Sequence, residues 1–460
     1  MKLLDRDQPR NQDEAQRPLP SRPMQQGTGR LAGMKSYLEA RQNAVAAQWN
    51  LTDEVVLVAA GEPIGKPGGA DQTYPFLPHT EYFYLADRAR PGSVMAYDPR
   101  EGWVDFVPEI SQAERVWEGG GEEEGVPASR LPAWLETRRH RPLAVLGCSL
   151  PGIEDDAELR ARVREGLSAV RRHKDAVEVE RLRRAAAATA AGFARLSELL
   201  QPGISERELQ IEMEAAFFRA GAQHTSFDTI IASGANSAVL HFPPTNRKLA
   251  AGELVLVDSG ADVDGYACDV TRTYPVGGRF TPEQRDLYSV VLAAQEHAVA
   301  GCRNGVEFKD LHLAAARDIA VGLVDFGLLK GSPEELAETA ATALFFPHGL
   351  GHLVGLGVRD ASGYLPGRER STHPVLQYLR VDMPLRQGYV VTIEPGVYFI
   401  PALLNDPELR ARHRDRVHWG RVESLLNFGG IRIEDDVLVT AGEPDVLTAA
   451  IPKNVTEISA

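Results

Sequence analysis

Two segments of this 460-residue chain follow one pattern, and that pattern constrains the fold more than any other feature. They read LAAGELVLVDSG (249–260) and LRQGYVVTIEPG (385–396). In each, a leucine is followed by a glycine, a run of apolar and β-branched residues, an acid, and a second glycine two places on. A short apolar run bounded by glycines reads as a buried strand. Asp258 and Glu394 then close two equivalent strands, and the repetition implies two related halves that face one another.

Each strand has an answering segment. After Asp258 the chain passes through SGADVDGYACD to Asp269 and VTRTYPV, a hairpin pattern that brings the two aspartates onto adjacent strands. TIEPGVYF is answered by GGIRIEDDVLVT, which carries Glu434; between them lies a polar insert, about 401–427, expected to form a surface excursion. An acid embedded in an apolar strand costs several kcal/mol to bury unpaired (on the order of 2–7), or it takes up a proton. Any one of these acids reads equally well as a salt-bridge partner. Four converging acids repel each other unless cations lie among them, and two divalent ions balance four carboxylates.

A histidine completes such a shell, and PHGLGHLVGLGVRD (347–360) offers two, His348 and His352, among four glycines. At helical spacing they would share a face. Each glycine, however, costs about 0.8–1 kcal/mol in a helix interior relative to alanine. The stretch is therefore expected as extended backbone pressed close to a neighbour. Taken alone it reads equally as a glycine-rich loop with two surface histidines; with the acids in view, His352 is the candidate ligand.

Upstream, residues 1–30 are rich in Pro, Gln, Arg and Asp and are expected to form a flexible tail. A helix at 32–50 is followed by strand patterns at 53–61, 82–87, 93–98, 103–108 and 143–147, with GGGEEEG (119–125) a solvated loop. This predicts an α/β domain over 31–170. Strong helical periodicity over 155–200 breaks at 171–176, where the junction to a second domain, 171–460, is placed; further helices are expected at 205–220, 282–302 and 308–327.

Composition narrows the function. A net charge of −14 argues against nucleic-acid binding. The chain has neither an apolar run long enough for a membrane span nor a signal-peptide core at its start. Cys148, Cys268 and Cys302 match neither a disulfide framework nor a zinc pattern, so a reducing cytoplasm is expected.

SGANSAVLHF, PHGLGHLVG, TIEPGVYFI and GGIRIEDDVLVT together resemble the metallopeptidases of the pita-bread fold (family M24), which include methionine aminopeptidase, aminopeptidase P and prolidase. The resemblance implies an α+β fold: a C-terminal pita-bread domain of two related halves behind an N-terminal α/β domain that pairs chains as a homodimer. It implies that Asp258, Asp269, His352, Glu394 and Glu434 hold two divalent metal ions, Mn²⁺ by ligand chemistry with Zn²⁺ or Co²⁺ as alternatives. Glu394 would relay the proton of the attacking water, His348 would donate to the developing oxyanion, and His241 would contact substrate. Arg432 would brace the metal carboxylates.

Two positions depart from the family pattern. Arg359 stands where a histidine is usual, and Phe227 where many relatives have tyrosine. Arg359 and Arg380 are expected to clamp a substrate carboxylate. That favours an Xaa-Pro dipeptidase acting on small peptides, with an Xaa-Pro aminopeptidase as the alternative and a non-catalytic binding module as a remote third.

Overall fold

The computed structural model describes residues 28–69, 71–119 and 124–458. The expected tail lies outside them up to residue 27, and residues 28–30 already belong to the first helix, Thr28–Trp49. Most of the expected 119–125 loop also lies outside.

The N-terminal part is a five-stranded mixed sheet. In spatial order its strands are Val126–Pro127, Gly102–Val107, Val94–Asp98, Val55–Ala59 and Leu143–Gly147. Val55–Ala59 is buried throughout, as a continuous apolar run in a central strand requires. The segment expected as a strand at 82–87 is instead a helix, Thr80–Ala86. The aromatic run Tyr82-Phe83-Tyr84 favours a strand locally. His79 nevertheless caps the first turn by accepting from the Glu81 amide, and Tyr82 and Leu85, three apart, bury one helical face. Tertiary packing overrides propensity here.

The long helical pattern resolves into Ala157–Arg172 and Ala176–Leu199. Asp156 and Asp175 cap their N-termini, and Glu178 completes a capping box with Asp175. One apolar cluster runs from Val45 and Trp49 through Leu167 and Leu182 to Tyr266, Val354 and Val390, so both parts of the chain share a core.

Beyond residue 200 the two halves appear as foreseen. Leu254–Ser259 pairs with Val270–Pro275, setting Asp258 opposite Thr271. Val390–Ile393 pairs with Asp435–Leu438, and Gly396–Tyr398 with Gly430–Arg432. The halves are stitched directly: the Glu434 amide donates to Thr271 O (3.0 Å), and Thr273 Oγ1 donates to Arg432 O (3.0 Å). The insert lies at the surface, with most of its residues exposed, but it is ordered and anchored. It folds into three short helices, Pro401–Leu404, Pro407–Arg412 and Trp419–Ser424, and buries Leu404, Val417, Val422 and Leu425 in the main core. Those apolar residues are widely spaced among charges, so composition hides them.

Candidate metal centre and active site

The segment carrying both histidines is not helical. It runs antiparallel to Val390–Ile393: Thr392 N donates to His352 O (2.8 Å), and Glu394 N donates to Leu350 O (2.8 Å). A Cβ on Gly351 would lie 1.9 Å from the Thr392 carbonyl oxygen, and one on Gly349 2.7 Å from that of Tyr378. The glycines therefore allow backbone to meet backbone with no room for a side chain, which places His352 beside the strand end that carries Glu394.

Asp269, His352 and Glu434 are buried, and their ligand atoms all lie within 4.8 Å of one another. His352 Nε2 is 3.3 Å from Asp269 Oδ2. His352 Nδ1 is 3.1 Å from Leu353 O, and a carbonyl can only accept. The proton therefore resides on Nδ1, and the Nε2 lone pair faces the acids. Glu434 Oε2 accepts from Thr271 Oγ1 (2.7 Å). Asp258 Oδ2 pairs with Arg432 Nη2. Glu394, whose side chain is 18% exposed, lies 3.7 Å from His348 Nδ1.

The electrostatics show what this cluster lacks. Burial, then Asp258, pushes the Asp269 carboxyl well above the usual range; burial, then Asp269 and Glu394, does the same to Glu434. Burial raises Glu394 to about 7 and lowers His352. Among the described residues Arg432 is the buried cation paired with these acids, and of them it ion-pairs with Asp258. Asp258 Oδ1 is buried with no hydrogen-bond partner among the described residues. An orphaned carboxylate oxygen beside three raised acids fits bound divalent cations, with a donor set of carboxylate oxygens and one imidazole nitrogen.

Around the acids runs a hydrogen-bonded chain that includes the expected Arg432 and His348 and adds Tyr398, which the sequence did not mark. Tyr398 Oη accepts from Arg432 Nη1 (2.7 Å) and donates to His348 Nε2 (2.9 Å), while Arg432 Nε donates to Thr271 Oγ1 (3.0 Å). His348 Nδ1 donates to Gly349 O (2.8 Å), and burial, then Arg432, pushes this imidazole down to about 3. His348 is thus neutral, with both ring nitrogens engaged. Tyr398 lies in GVYF, a segment whose glutamate neighbour drew attention; its role depends on Arg432, 34 positions away.

Arg359 and Arg380 line a cavity of about 440 Å³ together with His352. His241 is exposed and makes no hydrogen bond or ion pair among the described residues; its neighbours Leu240 and Phe242 pack on the small cluster that includes Tyr398. Phe227 is half-buried in the loop before Ile230–Ser233.

Residues 180–441 match the sequence profile of metallopeptidase family M24. A probable Xaa-Pro aminopeptidase of Paracoccidioides lutzii is 32% identical over 439 residues, covering 88% of this chain and 92% of its own. One from Aspergillus fumigatus is 32% identical over 419 residues, covering 84% and 88%. Among solved structures, Escherichia coli aminopeptidase P with the inhibitor Pro-Leu superposes with a TM-score of 0.75 at 27% identity, covering 92% of this chain and 97% of that one. Proline aminopeptidase P II from Yersinia pestis gives 0.74 at 27% identity, covering 92% and 98%. The match extends over nearly the whole chain, which therefore belongs to metallopeptidase family M24: it is a metal-dependent Xaa-Pro peptidase with an N-terminal domain and a C-terminal pita-bread domain.

Proposed function

We propose that this chain is an Xaa-Pro aminopeptidase, releasing the first residue from peptides with proline in second place. The observation that carries this is the cavity of about 440 Å³ lined by His352, Arg359 and Arg380, which offers room for residues after the proline. The names of the curated relatives support it. An Xaa-Pro bond is a tertiary amide without an N–H, so its cleavage needs a polarised carbonyl and a proton for the leaving nitrogen.

In this reading Asp258, Asp269, His352, Glu394 and Glu434 hold two divalent ions, Mn²⁺ by the oxygen-rich donor set. Ions bound there would acidify water and polarise the scissile carbonyl. The chain supplies the rest. Glu394 Oε takes the proton of the attacking water and passes it to the proline nitrogen. Arg432 fixes Asp258 and, through Tyr398, the ring of His348, which closes the substrate side of the acids. Leu240 and Phe242 carry His241 to the substrate entrance. Residues 31–170 act as the N-terminal domain through which chains pair as a homodimer, and 171–460 as the catalytic domain. The free Cys148, Cys268 and Cys302 suit a cytoplasmic setting.

The dipeptidase reading keeps one observation in its favour. Arg380 is half-buried, and burial, then Arg359, holds its guanidinium below the usual range. A terminal carboxylate immediately after proline would neutralise it. Protein stripped by chelator and reloaded with Mn²⁺ distinguishes the two: release of alanine from Ala-Pro-Ala is expected. Cleavage of Ala-Pro alone would make the enzyme a dipeptidase.

A further inference from the structure

The cavity beside His352 is lined by four arginines, Arg359, Arg368, Arg370 and Arg380, in a chain whose net charge is −14. Their environments differ. Arg368 is neutralised by Glu307 (2.7 Å) and Asp382 (2.7 Å). Arg359, Arg370 and Arg380 make no ion pair and no side-chain hydrogen bond among the described residues. Arg380 feels the positive charge of both Arg359 and Arg370, opposed by Glu394. Three guanidiniums without a hydrogen-bonded acid therefore line a single space, Arg380 half-buried and Arg359 and Arg370 exposed.

Their placement is built into the fold. Tyr364 and Asp382 bridge in parallel, and Asp382 N donates to Gly363 O (2.8 Å). A Cβ on Gly363 would lie 2.1 Å from Arg380 O, so the segments carrying Arg359 and Arg380 run backbone against backbone. Next to Arg359, the fully buried Asp360 is clamped by Arg171 and by Lys174 (2.8 Å). Arg370 lies over the Tyr364 ring, 5.2 Å from its centroid.

Charge balance then selects the occupant. A terminal carboxylate can engage the half-buried Arg380. A residue with its own carboxylate side chain supplies a second negative charge, which Arg359 and Arg370, unpaired on the same cavity, are free to engage. We propose that Arg359, Arg370 and Arg380 form a subsite for an acidic side chain on the residue after the proline, so that Xaa-Pro-Glu and Xaa-Pro-Asp peptides are the preferred substrates. This rests on the aminopeptidase reading and adds a substrate class to it.

The test uses Mn²⁺-loaded enzyme and amidated tripeptides, in which the side chain carries the only carboxylate: Ala-Pro-Glu-NH₂, Ala-Pro-Gln-NH₂ and Ala-Pro-Lys-NH₂. The glutamate peptide is expected to exceed the glutamine peptide in kcat/KM by about tenfold or more, since a charge-assisted pair outweighs a neutral one by that order. Arg370→Glu, an exposed substitution, should bring that ratio towards unity and shift preference towards the lysine peptide. Arg370→Lys should retain most of the preference. Equal rates on the glutamate and glutamine peptides overturn the subsite and leave the aminopeptidase standing. Failure on every tripeptide, with Ala-Pro cleaved, removes the aminopeptidase reading and the subsite with it.

Discussion

Glu394 keeps 18% exposure, more than Asp258 or Asp269, and lies 3.7 Å from His348. A proton carrier must lie within reach of the reacting groups and stay open to exchange with them. Glu394→Gln preserves shape and removes the basic oxygen. We expect turnover to fall by at least about 10²-fold, with the circular-dichroism spectrum unchanged; a near-normal rate would exclude Glu394 as the proton carrier. The four expected acids were readable because each stands beside an apolar strand residue, where an uncompensated charge is expensive, and His352 because of the glycines around it. Tyr398 was not readable. A tyrosine in an apolar strand is ordinary core, and what marks this one is its bond to Arg432, whose other partner, Asp258, lies 174 positions away.

At the scale of elements, the glycine segment 349–357 is the structural answer to how a histidine reaches Asp269 and Glu434. It is held flat against Val390–Ile393 by main-chain bonds, and Gly351 has no space for a methyl group. Gly351→Ala should push this segment off Thr392 and displace His352. The expected result is metal affinity weakened by at least about tenfold in calorimetric titration, because a ligand moved by an ångström no longer completes the shell. Unchanged affinity would mean that the segment is free to slide. The helix at 80–86 and the three helices of the insert were misread for one reason: short elements take their form from what they pack against, and aromatic or charged composition does not reveal that.

For the whole molecule, the acid cluster links stability to pH and to metal. Glu394 rises from an ordinary 4.5 to about 7 on folding, and Asp269 and Glu434 move the same way. Between those values the unfolded chain has released protons that the folded chain retains. The cluster's contribution to stability therefore falls as pH rises from about 4.5 through 7. Cations bind the deprotonated acids and reverse this. The difference in Tm between metal-loaded and chelator-treated protein should widen from about pH 5 to about pH 7.5. A difference that stays constant across that range would contradict the linkage.

Local chemistry reaches as far as the strands, the acids at their ends and the glycines beside the histidines, because burial, charge and backbone freedom act within a few residues. The sequence by itself therefore determined the two-half fold and the identity of the candidate ligands. Which groups surround those ligands was decided only by the tertiary structure. The links from Tyr398 through Arg432 to Asp258, the clamp on Asp360, and the three arginines facing one cavity all join residues distant along the chain. Their meeting depends on how the halves close together.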